Sequence, residues 1–308
     1  MKIEKAWETA RKEWQDFQKD SCSKNKKKRV LFPIEKIEPF LLLERVKNSF
    51  KFFWKDRDSA NFSLAFGICQ IICQPWSSLE SFFWENAFEA SQDSFRWFGT
   101  PGFDMFSSFP IPESYWGEAQ KPLLVLPILE IRRENQDFYL ILNLMPYENE
   151  EETDNRVFPE LCRKEELRTE NLDKGHSPSF CFYQDLPQQD EWMKRIENLK
   201  ARLNGKGLSK GVLARARIYQ LVQPSWSPYQ AFYKLEQKEQ KGFSFFIKWH
   251  NNIFLGKSPE LLFYRQGEDL RSEALAGTIV KSVANAKEEL RNCSKNRLEH
   301  KWVLEGIQ

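Results

Sequence analysis

Two apolar runs flank a short polar tip between Lys121 and Leu144, KPLLVLPILEIRRENQDFYLILNL. Each run is long enough to be a strand, and RENQD gives the chain a place to reverse. A chain committed to such a hairpin must bury at least one of its faces against other elements. The device recurs. FSFFIKWHNNIFLG (243–256) reads as a hairpin turning at His250 to Asn252, and LLFYRQGEDLRSEAL (261–275) as another around Gly267.

Helical patterns separate the hairpins. Residues 1–20 form an amphipathic helix. LLLERVKNSFKFFW (41–54) runs from helix into strand, and WKDRDSANFSLAFGICQIICQ (54–74) is a turn followed by a strand. From Ser77 a helix places Leu79, Phe82, Phe83 and Phe88 near one face, and Arg96–Asp104 must turn at its Gly and Pro residues. From Asp190, Trp192, Ile196, Leu199 and Leu203 fall at i, i+4, i+7 and i+11 until Asn204-Gly205 stops the helix. KGVLARARIYQL (210–221) reads as a strand, Ser227-Pro228 opens a further helix, and the pattern is helical again from about Ala284. The sum is an α+β fold with meandering hairpins and helices packed on one side. With 26 Phe and 11 Trp the chain has ample apolar area for a core. Residues 1–29 read as an N-terminal helix and basic loop ahead of one domain, 30–308. That domain divides into an N-terminal portion (30–145), a Pro-rich surface excursion (146–188) that includes His176, and a C-terminal portion (189–308).

A net charge of +2 gives no nucleic-acid footprint. The basic run Lys24–Arg29 and the acidic run Glu148–Asp154 read as solvated segments; the acidic one lacks the spacing of a metal loop. The six cysteines form no CxxC pair, and Cys69 and Cys73 sit in an apolar run as core thiols. No apolar run reaches membrane-span length, and the charged N-terminus lacks the apolar region of a secretory signal. These features together suggest a cytoplasmic protein with no membrane partner.

Four short segments carry the chemistry: KGVLAR (Lys210–Arg215), GKSPELLF (Gly256–Phe263), ALAGT (Ala274–Thr278) and SKNRLEH (Ser294–His300). Each alone is weak, since Ser-Pro-Glu is a common turn and Glu-His on a helix is usually surface. Lys210 by itself reads as a snorkelling lysine at a strand start. In this order and spacing the four resemble the chorismate-utilising enzymes: isochorismate, anthranilate, aminodeoxychorismate and salicylate synthases. The resemblance covers roughly residues 30–308. Trp54 with Asp56 and Arg57, and Phe98-Gly99 with Phe103-Asp104, are similar to elements of menaquinone-type isochorismate synthases, although Thr100 stands where that family has a second Gly. No chemistry is assigned to those elements.

The resemblance implies a layered α/β fold with large, mostly antiparallel sheets and helices outside. It implies that chorismate is the substrate and Mg²⁺ the cofactor. It makes Lys210 the general base that activates water, its pKa lowered by burial beside Val212, Leu213 and Ala214. It makes Glu260 the general acid that protonates the departing hydroxyl, raised by an apolar pocket with Leu261 and Leu262. Ala276, Gly277 and Thr278 approach the substrate, and Glu299 is a Mg²⁺ ligand, with His300 a packing neighbour. Anthranilate synthases typically carry glutamine at the Lys210 position, and aminodeoxychorismate synthases a nucleophilic lysine at Ala276. Lysine and alanine there favour water addition, hence isochorismate synthase feeding menaquinone synthesis; salicylate and anthranilate synthases are the alternatives. Two positions depart from the family: Asn296 replaces an aspartate, and Ile279-Val280 replace an Arg-rich segment. Family members also continue into further strands with more acidic ligands and carboxylate-gripping cations. The resemblance therefore implies a C-terminally incomplete fold. The chain is then a fragment of a longer protein, one half of a two-chain enzyme completed by a separate C-terminal polypeptide, or a truncated non-catalytic remnant.

Overall fold

The structure, a computed structural model, describes residues 1–19, 27–72, 95–100, 123–146, 157–162, 179–204, 208, 210–222, 227–238, 241–266 and 268–307. The chain opens with α1 (Ile3–Lys19), β1 (Lys28–Ile34), α2 (Pro39–Arg45), β2 (Val46–Lys47), β3 (Phe50–Lys55), β4 (Phe62–Phe66) and β5 (Gln70–Ile72). There follow β6 (Phe98–Thr100), β7 (Leu123–Leu126), β8 (Leu129–Glu134), β9 (Asp137–Leu144), β10 (Glu160–Leu161) and β11 (Phe180–Leu186). The last part holds α3 (Gln189–Asn204), β12 (Ala216–Leu221), α4 (Pro228–Glu236), β13 (Phe243–Trp249), β14 (Asn252–Ser258), β15 (Tyr264–Gln266), β16 (Asp269–Arg271), α5 (Ala286–Asn292) and α6 (Ser294–Ile307). The helix expected from Ser77, Phe103-Asp104 and His176 lie outside the described residues.

Two compact units result, and they do not follow the sequence divisions at 30 and 189. One comprises Met1–Asp173 with Pro228–Arg271, the other Lys174–Ser227 with Ser272–Gln308. The first unit is built on a seven-stranded sheet in the order β1-β9-β8-β4-β3-β13-β14. Every pairing in it is antiparallel. Its central strands β9, β8, β4 and β3 are largely buried on both faces, and the period of two separates two cores. On one face Phe53, Leu64, Ile131, Leu140 and Phe246 pack with Trp7 of α1, Phe40 of α2 and Phe232 of α4. On the other, Phe50, Phe52 and Ala65 pack with Phe98 of β6 and Val125 of β7. The helices thus cover one side of the sheet, as the patterning implied. Trp7, at 3% exposure, also donates its indole N–H to the Pro159 carbonyl (3.0 Å), so α1 belongs to this core.

The hairpin read at 121–144 is real only in part. β8 and β9 pair around Asn135, but the first arm breaks at Pro127, and β7 before it joins β5 and β6 in a separate three-stranded sheet. Proline supplies no ladder N–H, so one strand cannot run through it. The excursion at 146–188 also contains paired strands: β10 lies on β2, and β11 on β12. No helix among the described residues is long and apolar enough to cross a membrane.

A buried cation sits between the sheet and its helices. Lys51 of β3 donates to the Leu43 carbonyl (2.8 Å) in the last turn of α2 and to the Tyr229 hydroxyl (2.7 Å) on α4. Burial, reinforced by Lys248, lowers its pKa to about 7, against the opposing pull of Glu44 and Cys162. Between about pH 7 and pH 10 the unfolded chain therefore binds a proton that the folded chain has released. Stability rises with pH across that window, by at most about 1.4 kcal/mol per pH unit. Tyr229, pushed up to about 12 by burial and Glu44, acts in the opposite sense once the unfolded tyrosine ionises, above about pH 10. The urea midpoint of wild type should therefore rise relative to that of Lys51→Met as pH goes from neutral to mildly alkaline. A constant difference would show that Lys51 does not titrate there.

Candidate active site

In the first unit the β13–β14 hairpin delivers the Ser258-Pro259-Glu260 turn. Its register pairs Phe243 with Ser258 and Phe245 with Gly256. The Phe245 ring lies over Gly256 so closely that an added Cβ would stand 2.6 Å from it, which explains glycine at the head of GKSPELLF. Lys257, next along, reaches α4. Its ammonium lies 3.4 Å from Glu236 Oε1 and donates to the Lys238 carbonyl (3.3 Å). Glu236 also pairs with Lys55 at 2.8 Å. Burial acts to raise the Glu236 carboxyl, but the bond from Lys55 and the charge of Lys257 outweigh it and hold the group below its ordinary value. Glu260 itself is exposed. The apolar pocket expected around it is not formed in the described structure, because Leu262 is 77% and Phe263 58% exposed.

The second unit holds Lys210, the ALAGT loop and Glu299. The strand expected from Lys210 begins only at Ala216, and Lys210–Arg215 precedes it without strand pairing. Gly211 lies against Leu199 of α3, and Arg215 stacks 6.0 Å from the Trp192 ring of the same helix. Trp192, Ile196, Leu199 and Leu203 are the half-buried stripe of α3, as their spacing required. Lys210 is exposed and Val212 is 83% exposed, so the burial expected to tune the lysine is absent from the described structure.

The ALAGT loop and α6 do come together. Gly277 adopts φ +87°, open to glycine at little cost, and a Cβ there would meet Asn296 Cβ at 3.1 Å. Asn296, the position where the resemblance expects aspartate, is thus the residue on which the loop rests. Beside it Ala276, Asn296, Arg297, His300 and Lys301 line a cleft of about 360 Å³, with Leu290, Arg291 and Leu304 completing it. Its described lining holds cationic side chains and no carboxylate, which suits an anionic group. His300 lines this cleft. Thr278 is exposed at the end of the loop.

Glu299 is a third exposed, and Lys295 one turn earlier stands 4.0 Å from it. Mg²⁺ demands six oxygen donors in near-octahedral array, from carboxylates, substrate or water. Among the described residues no group of three His, Cys, Asp or Glu side chains is placed to hold a metal ion. The described residues therefore do not by themselves fit a Mg²⁺ site, and Glu299 contributes one carboxylate already paired with a lysine.

Sequence reasoning missed the role of the β3–β4 turn. Arg57 donates from Nη1 to the Pro259 carbonyl at 2.7 Å, across 202 residues of sequence. The Trp-x-x-Arg resemblance pointed at the residue but not at what it touches.

Comparison with known proteins bears on the same segments. Isochorismate synthase MenF of Bacillus subtilis is 33% identical over 121 residues, 38% of this chain and 26% of the relative. MenF of Escherichia coli is 32% identical over 133 residues, 40% of this chain and 30% of the relative. The match thus spans between a quarter and a third of those relatives' length. The solved structure of the menaquinone-specific isochorismate synthase MenF from Escherichia coli superposes with a TM-score of 0.73 at 21% identity, covering 97% of this chain and 67% of that one. The α+β architecture, with its large antiparallel sheet, is therefore that of the chorismate-binding fold. The sequence profile of the chorismate binding enzyme family matches residues 9–308, nearly the whole chain, and takes in all four motifs. The chain belongs to the chorismate-binding enzyme family.

Proposed function

We propose that the protein carrying this chain converts chorismate to isochorismate, in the cytoplasm and for menaquinone synthesis. Water adds at one ring carbon while hydroxyl leaves another. Lys210 takes a proton from the incoming water, and Glu260 gives one to the departing hydroxyl, which leaves as water. Protons and oxygen balance over the cycle. Chorismate carries two carboxylates, and the cationic cleft at Ala276, Arg297 and His300 offers one of them a place. The observation that carries the reading is the residue pair Lys210 and Ala276. A lysine serves water addition, and an alanine facing the cleft supplies no nucleophile for covalent attack on the ring. The two curated relatives bear the name isochorismate synthase, which supports the same reading.

The exposure of Lys210 and Glu260 supports a corollary: further protein, in the same or a separate C-terminal polypeptide, covers them in the working enzyme. A lysine base and a carboxylic acid both need exclusion from water to work near neutral pH. The full gene product, given chorismate and Mg²⁺, should form isochorismate, resolved from salicylate and anthranilate by chromatography. Anthranilate formed only with ammonium would overturn the assignment.

Mg²⁺ is proposed as the cofactor of that complete site. For the 308-residue chain, calorimetry should find only millimolar or weaker Mg²⁺ binding, since one lysine-paired carboxylate is a poor site for a strongly hydrated cation. Micromolar binding that is lost in Glu299→Ala would contradict this.

A further inference from the structure

We infer that Arg57 is the positioning residue of the general acid: it fixes the peptide unit from which Glu260 projects. The inference rests on the proposed role of Glu260. Its basis is the hydrogen bonding of one peptide group. The carbonyl of the Pro259–Glu260 peptide accepts from Arg57 Nη1 at 2.7 Å. The N–H of the same peptide donates to Ser258 Oγ at 3.4 Å. Because the peptide is planar, holding both its polar ends fixes the plane and so the start of the Glu260 side chain. Pro259 has no N–H, so its carbonyl is the only backbone polar group it can offer to a clamp.

Arg57 is itself held in place. Its side chain is 16% exposed, and its Nη2 pairs with Asp58 at 3.0 Å. Its guanidinium lies 5.1 Å from the centre of the Phe243 ring. That ring stacks on its other neighbour, Trp54, at 5.4 Å. Phe243 pairs with Ser258 in the ladder, so the aromatic support and the clamped turn share one end of the sheet. The turn that carries Arg57 is closed by its own bonds: Asp56 N donates to the Asn61 carbonyl (3.1 Å), and Ser59 Oγ donates to Asp56 (2.8 Å). Lys257 anchors the chain just before the turn, on α4. Glu260 is exposed and lacks packing of its own, so its direction depends on this backbone clamp. Arginine suits the task because its planar fork spans Asp58 and the carbonyl together, which a lysine ammonium cannot reproduce.

The test compares wild type, Arg57→Lys and Arg57→Met in the full gene product, with two readouts. For isochorismate formation, Arg57→Met should lower kcat by about 10–100-fold with KM changed less than about threefold, and Arg57→Lys should recover part of the loss. The limb of the kcat pH profile that belongs to the general acid should move in Arg57→Met. Hydrogen exchange provides the second readout and does not depend on activity. The amide of Glu260 should exchange about 10-fold faster in Arg57→Met, while β13 and β14 keep their protection. An unchanged Glu260 amide would overturn the inference whether or not the enzyme is active. So would uniform loss of protection across the hairpin, which marks a merely structural arginine. Absence of isochorismate from the wild type, with the Glu260 amide still released in Arg57→Met, would overturn the proposed reaction and leave the clamp standing.

Discussion

Replacing Lys210 by glutamine is expected to lower the proposed isochorismate formation by about 10²–10⁴-fold, the contribution of a positioned acid or base. The size of the effect follows from the nucleophile. Ammonia is strong enough to attack without help, whereas water must lose a proton in the transition state. Glutamine keeps the size and polarity of the side chain but cannot accept that proton. The loss should therefore appear in kcat, with KM within about threefold of wild type. Lys210 is exposed in the described structure. On the proposed role, the dry surroundings that a lysine base requires would come from bound substrate or covering protein. This adds a second expectation. Truncating Val212, next to the lysine and exposed in the described structure, should affect the reaction more than it affects stability. Full activity in Lys210→Gln would remove the lysine from the mechanism, and with it the case for water addition.

Local pattern revealed elements of both units. The α3 stripe, the β13–β14 hairpin turning at His250 and the helical end from Ala286 all follow from periodicities of two or 3.6 and from turn residues. What misled was continuity. Residues 121–144 look like one hairpin because Pro127 sits between two equally apolar runs, and only the pairing of β7 with β5 and β6 shows that they belong to different sheets. Likewise KGVLARARIYQL alternates well enough for one long strand, yet its ladder to β11 starts at Ala216. Pairing partners are non-local, and a sequence read in order does not contain them. The same limit applies to the candidate site. The resemblance has Gly277 approaching the substrate; that its backbone rests on Asn296 was not legible, and neither was the bond from Arg57 to Pro259. The described structure does not form the apolar environments expected for Lys210 and Glu260, for a related reason. Adjacent Val and Leu side chains bury a residue only when something packs on them, and Val212 and Leu262 are exposed.

Phe232→Ala is expected to cost about 3–5 kcal/mol, the usual price of removing a buried phenyl ring, and a large share of the roughly 5–15 kcal/mol that stabilises a domain. The ring is fully buried on α4. It meets Phe53 of β3 edge-on at 5.2 Å, Phe40 of α2 at 5.6 Å and Phe246 of β13 at 5.5 Å. One side chain therefore joins two helices to the centre of the sheet. A helix of nine residues has little stability alone, so α4 depends on its contacts with the sheet, of which this ring is the fully buried one. The consequence reaches the candidate site, because α4 also carries Glu236, the partner of Lys257 just before the Ser258–Glu260 turn. Phe232→Leu should recover about half of the lost stability, since it restores much of the volume but none of the ring contacts. Phe182→Ala, at a ring 57% exposed on β11, should change stability by less than about 1 kcal/mol. Urea midpoints of the three variants decide the matter. If Phe232→Ala melted like wild type, α4 would be held by its ion pairs rather than by its apolar face, and the Glu236 bridge rather than the phenyl cluster would be what seats the turn.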